Sequence, residues 1–243
     1  DVELDQDGFY KLVDGKSLPH PKTSQPSPHQ FVEFYKKVAQ PGDTILSVHI
    51  TSKLSGTYAS SVTAAEELKG TFNVVPVDTL CGTMGTAFMC RSARQMERAG
   101  KSVEEIVKFI EGVRSQTHVV LTLDTLEYAR RSGRVGALRS ALASALNLKP
   151  IALLKDGLVE MVDRVRTRKA AIERVLTIAR ESVGDKPVHV GVVHARDLAT
   201  GQSLLNEAKK VLNVKESFLT DLSISLVINF GPGTVGIVLY PAE

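Results

Sequence analysis

His49-Ile50-Thr51-Ser52-Lys53-Leu54-Ser55-Gly56-Thr57 joins a β-rich run, Thr44 to Ile50, to a run with helical spacing, Gly56 to Leu68. A strand that ends in a hydroxyl-rich loop and passes into a helix is the unit of an open α/β sheet. In such sheets ligands sit in the crevice beyond the carboxyl ends of the strands. The start of the helix offers free amides and a partial positive charge, which favours an anion. A plainer reading stands beside it, in which Ser55 or Thr57 only caps the helix.

Outward from this stretch the alternation continues. Upstream, Phe31 to Val38 has helical spacing, and the first thirty residues, rich in Pro, Ser, Asp and Gly, read as an extended lead-in. Downstream come a strand at Asn73 to Val77, a helix from Gly85 to Ala99 closed by Gly100, and a capping box, Ser102 with Glu105, opening the next helix. A strand at Thr117 to Leu123 precedes a short helix that begins near Asp124 and Glu127 and stops at Gly133. Between Lys149 and Val165 two β-like runs flank Asp156-Gly157, the signature of a hairpin with a primed turn. A helix over Thr167 to Val183, a strand over Val188 to Val193, a helix over Leu198 to Leu212 and two or three closing strands complete the chain. The expected fold class is α/β in two parts. A mainly parallel sheet with flanking helices occupies residues 1–115, and a mixed or antiparallel sheet with helices occupies residues 116–243, the boundary falling near Ser115 to Thr117.

Composition excludes several classes. At 243 residues and 43% apolar the chain can bury one large core or two smaller ones. The most apolar stretch, Ala141 to Leu154, is interrupted by Asn147, Lys149 and Pro150, so no membrane span of roughly 20 residues is expected. The acidic start, Asp1-Val2-Glu3-Leu4-Asp5, shows no basic segment followed by an apolar one. A net charge of +3 and the lack of aromatic residues among the basic ones argue against a nucleic-acid partner. Two cysteines, Cys81 and Cys90, fit neither a redox nor a zinc spacing and suggest a cytoplasmic protein.

Catalytic and metal signatures are missing: there is no Walker A loop, H-E-x-x-H or G-x-S-x-G. His189 and His194, five apart on one strand, face opposite ways and cannot share a metal. Gly231-Pro232-Gly233-Thr234-Val235-Gly236 formally contains G-x-G-x-x-G, but a β-like run follows it, so it reads as a tight turn between strands. Thr23-Ser24-Gln25-Pro26-Ser27-Pro28 sets hydroxyls and an amide between prolines that stiffen the backbone; its plainer reading is a lead-in in which Ser27 or a neighbour caps the next helix. Basic residues cluster at Arg130, Arg131, Arg134 and Arg139, and again at Arg164, Arg166, Arg168 and Lys169, where alternation on a strand would put Arg164 and Arg166 on one face. Solvated ion pairs are the ordinary fate of such residues.

Taken in order, Pro21 to Pro28, Val48 to Thr57, Leu126 to Gly136 with its Arg-Ser-Gly-Arg core, Leu146-Asn147-Leu148-Lys149-Pro150-Ile151 before Asp156-Gly157, and Gly231-Pro232-Gly233 resemble the DegV family. Its members are similar to bacterial fatty-acid carriers, some of which present the acyl chain to a fatty acid kinase. The resemblance implies a non-enzymatic protein that holds a long-chain fatty acid in a buried apolar tunnel and needs no cofactor beyond that ligand. It implies that Thr23 and Ser52, with Ser24 and Ser55 beside them, hold the carboxylate, joined by Arg166 and Asn229. Leu46, Val48, Ile50, Met84, Phe88 and Leu121 become the expected tunnel walls, and Arg130 to Arg139 the surface facing a kinase. Two departures stand out. The family's opening strand, ending in Thr-Asp-Ser, has no counterpart here, and the family's closing His is Asn229, followed by Phe230. Asn229 can donate a hydrogen bond but cannot titrate near neutrality. Two other classes remain to be weighed: a hydrolase or phosphoryl-transfer enzyme using Asp78, Thr79 or Asp124 at strand ends, and an interaction module with an empty pocket.

Overall fold

The computed structural model describes residues 5–14, 21–133 and 148–242. Its first element, α1 (Gln6–Asp14), corrects the expectation of an extended lead-in. The Pro- and Ser-rich residues lie after it, while Phe9 and Tyr10 are buried and hold this short helix by packing. Helix α2 (Pro28–Val38) begins with a complete capping box, Ser27 accepting from Gln30 N at 3.2 Å, so the plainer reading of Ser27 holds.

Strands β1 (Thr44–His49) and β2 (Asn73–Asp78) pair in parallel across helix α3 (Thr57–Glu67). Val32, Tyr35, Ala64, Leu68 and Phe72 form a small core with α2 and α3 on one side of this pair. The other side meets α4 (Thr83–Arg98) and α5 (Val103–Val113), the latter opened by the Ser102–Glu105 capping box.

The larger sheet contains β3 (His118–Thr122), β4 (Lys149–Lys155), β5 (Leu158–Val165), β6 (Val188–His194), β7 (Val214–Asp221) and β8 (Val235–Pro241). They run in the order β5-β4-β3-β8-β6-β7, and only β6 and β7 are parallel. Asp156 and Gly157 turn the β4–β5 hairpin with φ of 49° and 82°, as a primed turn requires. The short helix α6 (Glu127–Ser132) ends at Gly133, whose φ is 69°. The expectations for Arg134, Arg139, Leu146 and Asn147 lie outside the described residues.

Alternation along the strands gives this sheet two apolar faces. Val120, Ile151, Val190, Val192, Ile237 and Leu239 pack on α7 (Arg168–Val183) and α8 (Leu198–Val211). Val119, Leu121, Ala152, Val193 and Val238 face α4 and α5, so one core joins the large sheet to the β1–β2 pair. His189 and His194 point to opposite faces: His189 stacks near Phe88, with centroids 6.1 Å apart, and His194 is buried against Gly201 of α8.

A second correction concerns the closing strands. Ile224–Phe230 forms helix α9, so Gly231-Pro232-Gly233 joins a helix to a strand and not two strands. Its run of β-branched and aliphatic residues is too short for periodicity to separate a buried helix from a strand. Gly231, with φ of 90°, lies against the Tyr128 ring, where a Cβ would come within 2.6 Å. Among the described residues no helix is long and apolar enough to cross a membrane.

Candidate functional site

Two clefts meet where β1 and β2 face the large sheet. The outer one is lined by Thr23, Ser24, Gln25, Ser55, Gly56, Thr57, Ser225 and Asn229, with Ile50, Leu54, Leu226 and Phe230 at its floor. The inner one is narrow in this conformation, about 40 Å³, and shares Ile50, Leu54, Leu226 and Phe230 with the first. Its further walls include Val119, Leu121, Leu154, Val159, Val193 and Leu222. A mouth of hydroxyls and amides thus opens directly onto an apolar interior.

Gln25 closes the mouth's rim. Its Nε2 donates to Ser60 Oγ at 3.2 Å, and its side chain lies where a Cβ on Gly56 would sit, 2.0 Å from Oε1. A side chain at position 56 would push the Gln25 amide aside and break its bond to Ser60. Ser55 Oγ accepts from Thr57 N at 3.2 Å and lies 2.8 Å from Thr57 Oγ1, so Ser55 both caps the first turn and faces the cleft. Asn229 Nδ2 donates to Ser225 O at 2.6 Å, which uses one of its two amide hydrogens.

The hydroxyls along the inner cleft point away from it. Thr51 Oγ1 donates to Gly157 O at 3.0 Å, and Thr234 Oγ1 donates to Gly231 O at 2.8 Å. Their methyl groups therefore line an interior without polar surface. His49 faces the other side of β1, against Phe31 and Tyr58, with Nε2 2.8 Å from Ser47 Oγ; burial lowers its pKa, so the imidazole is neutral at neutral pH.

Thr23, Ser24, Ser55 and Asn229 are brought together at the mouth, and Ile50 and Leu121 line the interior. Ser52 is exposed, outside the lining of either cleft, with its N–H donating to Asp78 Oδ1 at 3.2 Å. Arg166 is exposed just beyond β5 and is likewise not gathered into the mouth. Leu46, Val48 and Met84 pack on the common core, and Phe88 is buried within it, stacked on Tyr240 at 5.3 Å. Gln25, Leu54, Ser225, Leu226 and Phe230 had no local signal as site residues, since it is the fold that brings α9 over the β1–α3 loop.

The residues that an enzyme would need are otherwise engaged. Asp78 Oδ1 accepts from Leu80 N at 3.0 Å as well as from Ser52 N, and Thr79 Oγ1 donates to His49 O at 2.8 Å. Asp124 pairs with Lys149. Arg131 pairs with Glu127, and Arg168 with Asp197 at 2.7 Å. No group of three or more His, Cys, Asp or Glu side chains able to hold a metal occurs among the described residues.

Cys81 is buried between Leu80 and Gly82, and burial pushes its thiol up to about 11; burial also raises the thiol of Cys90, which is exposed. A raised pKa leaves less thiolate at neutral pH, and the steric shielding of Cys81 slows its reaction further. Titration of the native protein with an aromatic disulfide reagent at neutral pH is expected to modify the exposed Cys90 at least about tenfold faster than the buried Cys81, which reacts on unfolding. Equal rates would mean that the wall at Cys81 opens freely.

These features define an α/β protein with an amphipathic binding cleft between two sheets. Residues 1–242 match the family model described as "Uncharacterised protein, DegV family", and the chain belongs to the DegV family. It is 33% identical to a DegV domain-containing protein of Deinococcus radiodurans over 98% of this chain and 87% of that one. A DegV domain-containing protein of Listeria monocytogenes is 35% identical over 95% of this chain and 81% of its own. Among solved structures, a fatty-acid-binding DegV family protein of Thermus thermophilus superposes with a TM-score of 0.87 at 31% identity, covering 98% of this chain and 85% of that one. DegV of Bacillus subtilis, a fatty acid binding protein, gives 0.88 at 26% identity over 100% and 86%.

Proposed function

We propose that this protein binds a long-chain fatty acid, with the carboxylate at the hydroxyl-lined mouth and the acyl chain in the apolar interior. The observation that carries this reading is the junction of the two clefts through Ile50, Leu54, Leu226 and Phe230. Only an amphipathic ligand satisfies both halves. Burying about fifteen methylenes at about 0.8 kcal/mol each gives roughly 12 kcal/mol of gross driving force before ordering costs, so the tail dominates affinity. The head sets orientation. A carboxylate taken from water must receive hydrogen bonds or take up a proton. Thr23, Ser24 and Ser55 supply donors at the mouth, and Ser52 and Arg166 are the donors the family resemblance adds.

The fatty-acid-binding structures of Thermus thermophilus and Bacillus subtilis proteins support the reading. So do the structural commitments of Asp78, Thr79 and Asp124, which favour a binding protein over a hydrolase or phosphoryl-transfer enzyme. The same reading makes a fatty acid kinase the partner and, with both cysteines unpaired, the cytoplasm the site of action.

Native mass spectrometry of freshly purified protein, followed by solvent extraction, tests the proposal. A stoichiometric fatty acid is the expected result. Protein that is empty and also ignores added long-chain acids would reject it. Thr23→Val and Ser52→Ala are each expected to weaken binding by about 1–3 kcal/mol, read by displacement of a fluorescent fatty acid. An unchanged affinity in either variant removes that residue from the carboxylate site.

A further inference from the structure

A third cleft lies on the far side of the apolar interior. Leu80, Cys81, Val119 and Leu154 form its floor, and Arg114 and Lys155 stand on its rim. Val119 and Leu154 also line the apolar interior, so one pair of side chains is common to both spaces. The partition between them is thin. It consists of the Leu80–Thr83 segment on one side and the turn of the β4–β5 hairpin on the other.

This partition is held under strain. Leu80 and Thr83 have φ of 49° and 48°, a left-handed conformation that non-glycine residues seldom take. Leu80 and Cys81 line the far cleft, and the next two residues, Gly82 and Thr83, line the interior. Leu80 is fixed in place by its N–H donating to Asp78 Oδ1 at 3.0 Å. Opposite it, a Cβ on Gly157 would lie 3.2 Å from Leu80 Cδ2 and 2.4 Å from Thr51 Oγ1. The chain thus goes to some length to bring a single leucine against a hairpin turn between two spaces.

The far cleft has a polar rim. The Arg114 Nη1 donates to Asp78 O at 3.1 Å and its Nη2 lies 3.6 Å from Glu111 Oε1, and Lys155 lines the same cleft. A methyl group ending here would leave these groups no worse solvated than before, and a polar group ending here would reach water and a cation. A closed apolar pocket would treat the two very differently, because a hydroxyl buried without a partner is costly.

We propose that the far cleft receives the distal end of the acyl chain, that Leu80 sets the chain length at which this happens, and that the protein therefore accepts long-chain acids carrying a polar group at that end. The proposal rests on the fatty-acid reading and deepens it. Competition against a fluorescent fatty acid tests it with dodecanoate, octadecanoate and ω-hydroxyoctadecanoate on the native sequence and on Leu80→Trp, whose ring narrows the way from the interior into the far cleft. The unsubstituted protein is expected to bind ω-hydroxyoctadecanoate within about threefold of octadecanoate, where a blind apolar pocket would reject it by about tenfold or more. Leu80→Trp is expected to leave dodecanoate within about twofold and to weaken both longer acids by about tenfold. Rejection of the ω-hydroxy acid by the unsubstituted protein, or an equal effect of Leu80→Trp on short and long chains, overturns the proposal. The first arm needs no variant and so stands even if Leu80→Trp fails to fold. Failure of all three acids to bind the unsubstituted protein would reject the fatty-acid reading itself.

Discussion

Leu226→Asp is expected to weaken fatty-acid binding by at least about 4 kcal/mol, roughly a thousandfold, while costing the fold little. Leu226 is one of the four residues that line both the mouth and the apolar interior. It is only half-buried on α9, so a polar side chain there retains contact with water when the cleft is empty. When an acyl chain fills the cleft that contact is lost. The aspartate must then be desolvated beside the ligand's own carboxylate, and either two like charges oppose each other in one small site or one of them takes up a proton at a cost in free energy. Titration with a fluorescent fatty acid measures the loss, and thermal unfolding followed by circular dichroism separates it from instability. Leu226→Ala is the control, expected to cost only about 1–2 kcal/mol of binding through lost apolar contact. An aspartate variant that binds within tenfold of the unsubstituted protein would place the acyl chain elsewhere.

The parts of this molecule that sequence revealed are those whose signals are local. Asp156-Gly157 dictates a primed turn by its own backbone preferences, and Ser102 with Glu105, like Ser27 with Gln30, caps a helix through bonds three residues apart. The hydroxyl segments around Thr23 and Ser55 were legible for the same reason: composition marks them whatever surrounds them. Helix α1 was not legible, because a nine-residue helix is marginal alone and exists through the burial of Phe9 and Tyr10. Helix α9 was not legible because its seven residues read equally well as a strand. That second miss hid Ser225, Leu226 and Phe230, which like Asn229 reach the cleft only as positions of a helix. Alternation likewise groups Arg164 with Arg166, but β5 ends at Val165, and where Arg166 points is decided by the turn into α7. The family resemblance implied an amphipathic ligand; which residues line the cleft depended on long-range packing.

Gly191→Val is the second large effect, expected to destabilise the fold by about 3 kcal/mol and to impair binding with it. Gly191 sits in the middle of β6, paired with Phe218 on one side and Val238 on the other, with α4 lying across its open face. A Cβ there would meet Met84 Cβ at 2.8 Å, Met84 Cγ at 2.9 Å and Phe88 Cε2 at 3.3 Å. The first of these contacts involves an atom fixed to the helix backbone, so no rotamer change relieves it, and α4 must move away from the sheet. Overpacking of a well-packed core costs about 1–3 kcal/mol, and valine adds two methyl groups to the clash. The functional consequence follows from where α4 begins. Gly82 and Thr83, at its first turn, form part of the wall of the apolar cleft, so displacing the helix displaces the wall. Urea denaturation gives the stability change, and fatty-acid titration below the unfolding transition gives the binding change. A loss under about 0.5 kcal/mol would show that α4 shifts on the sheet at little cost, and then neither the cleft wall nor the strained Leu80–Thr83 segment that leads into it is held rigid by the fold.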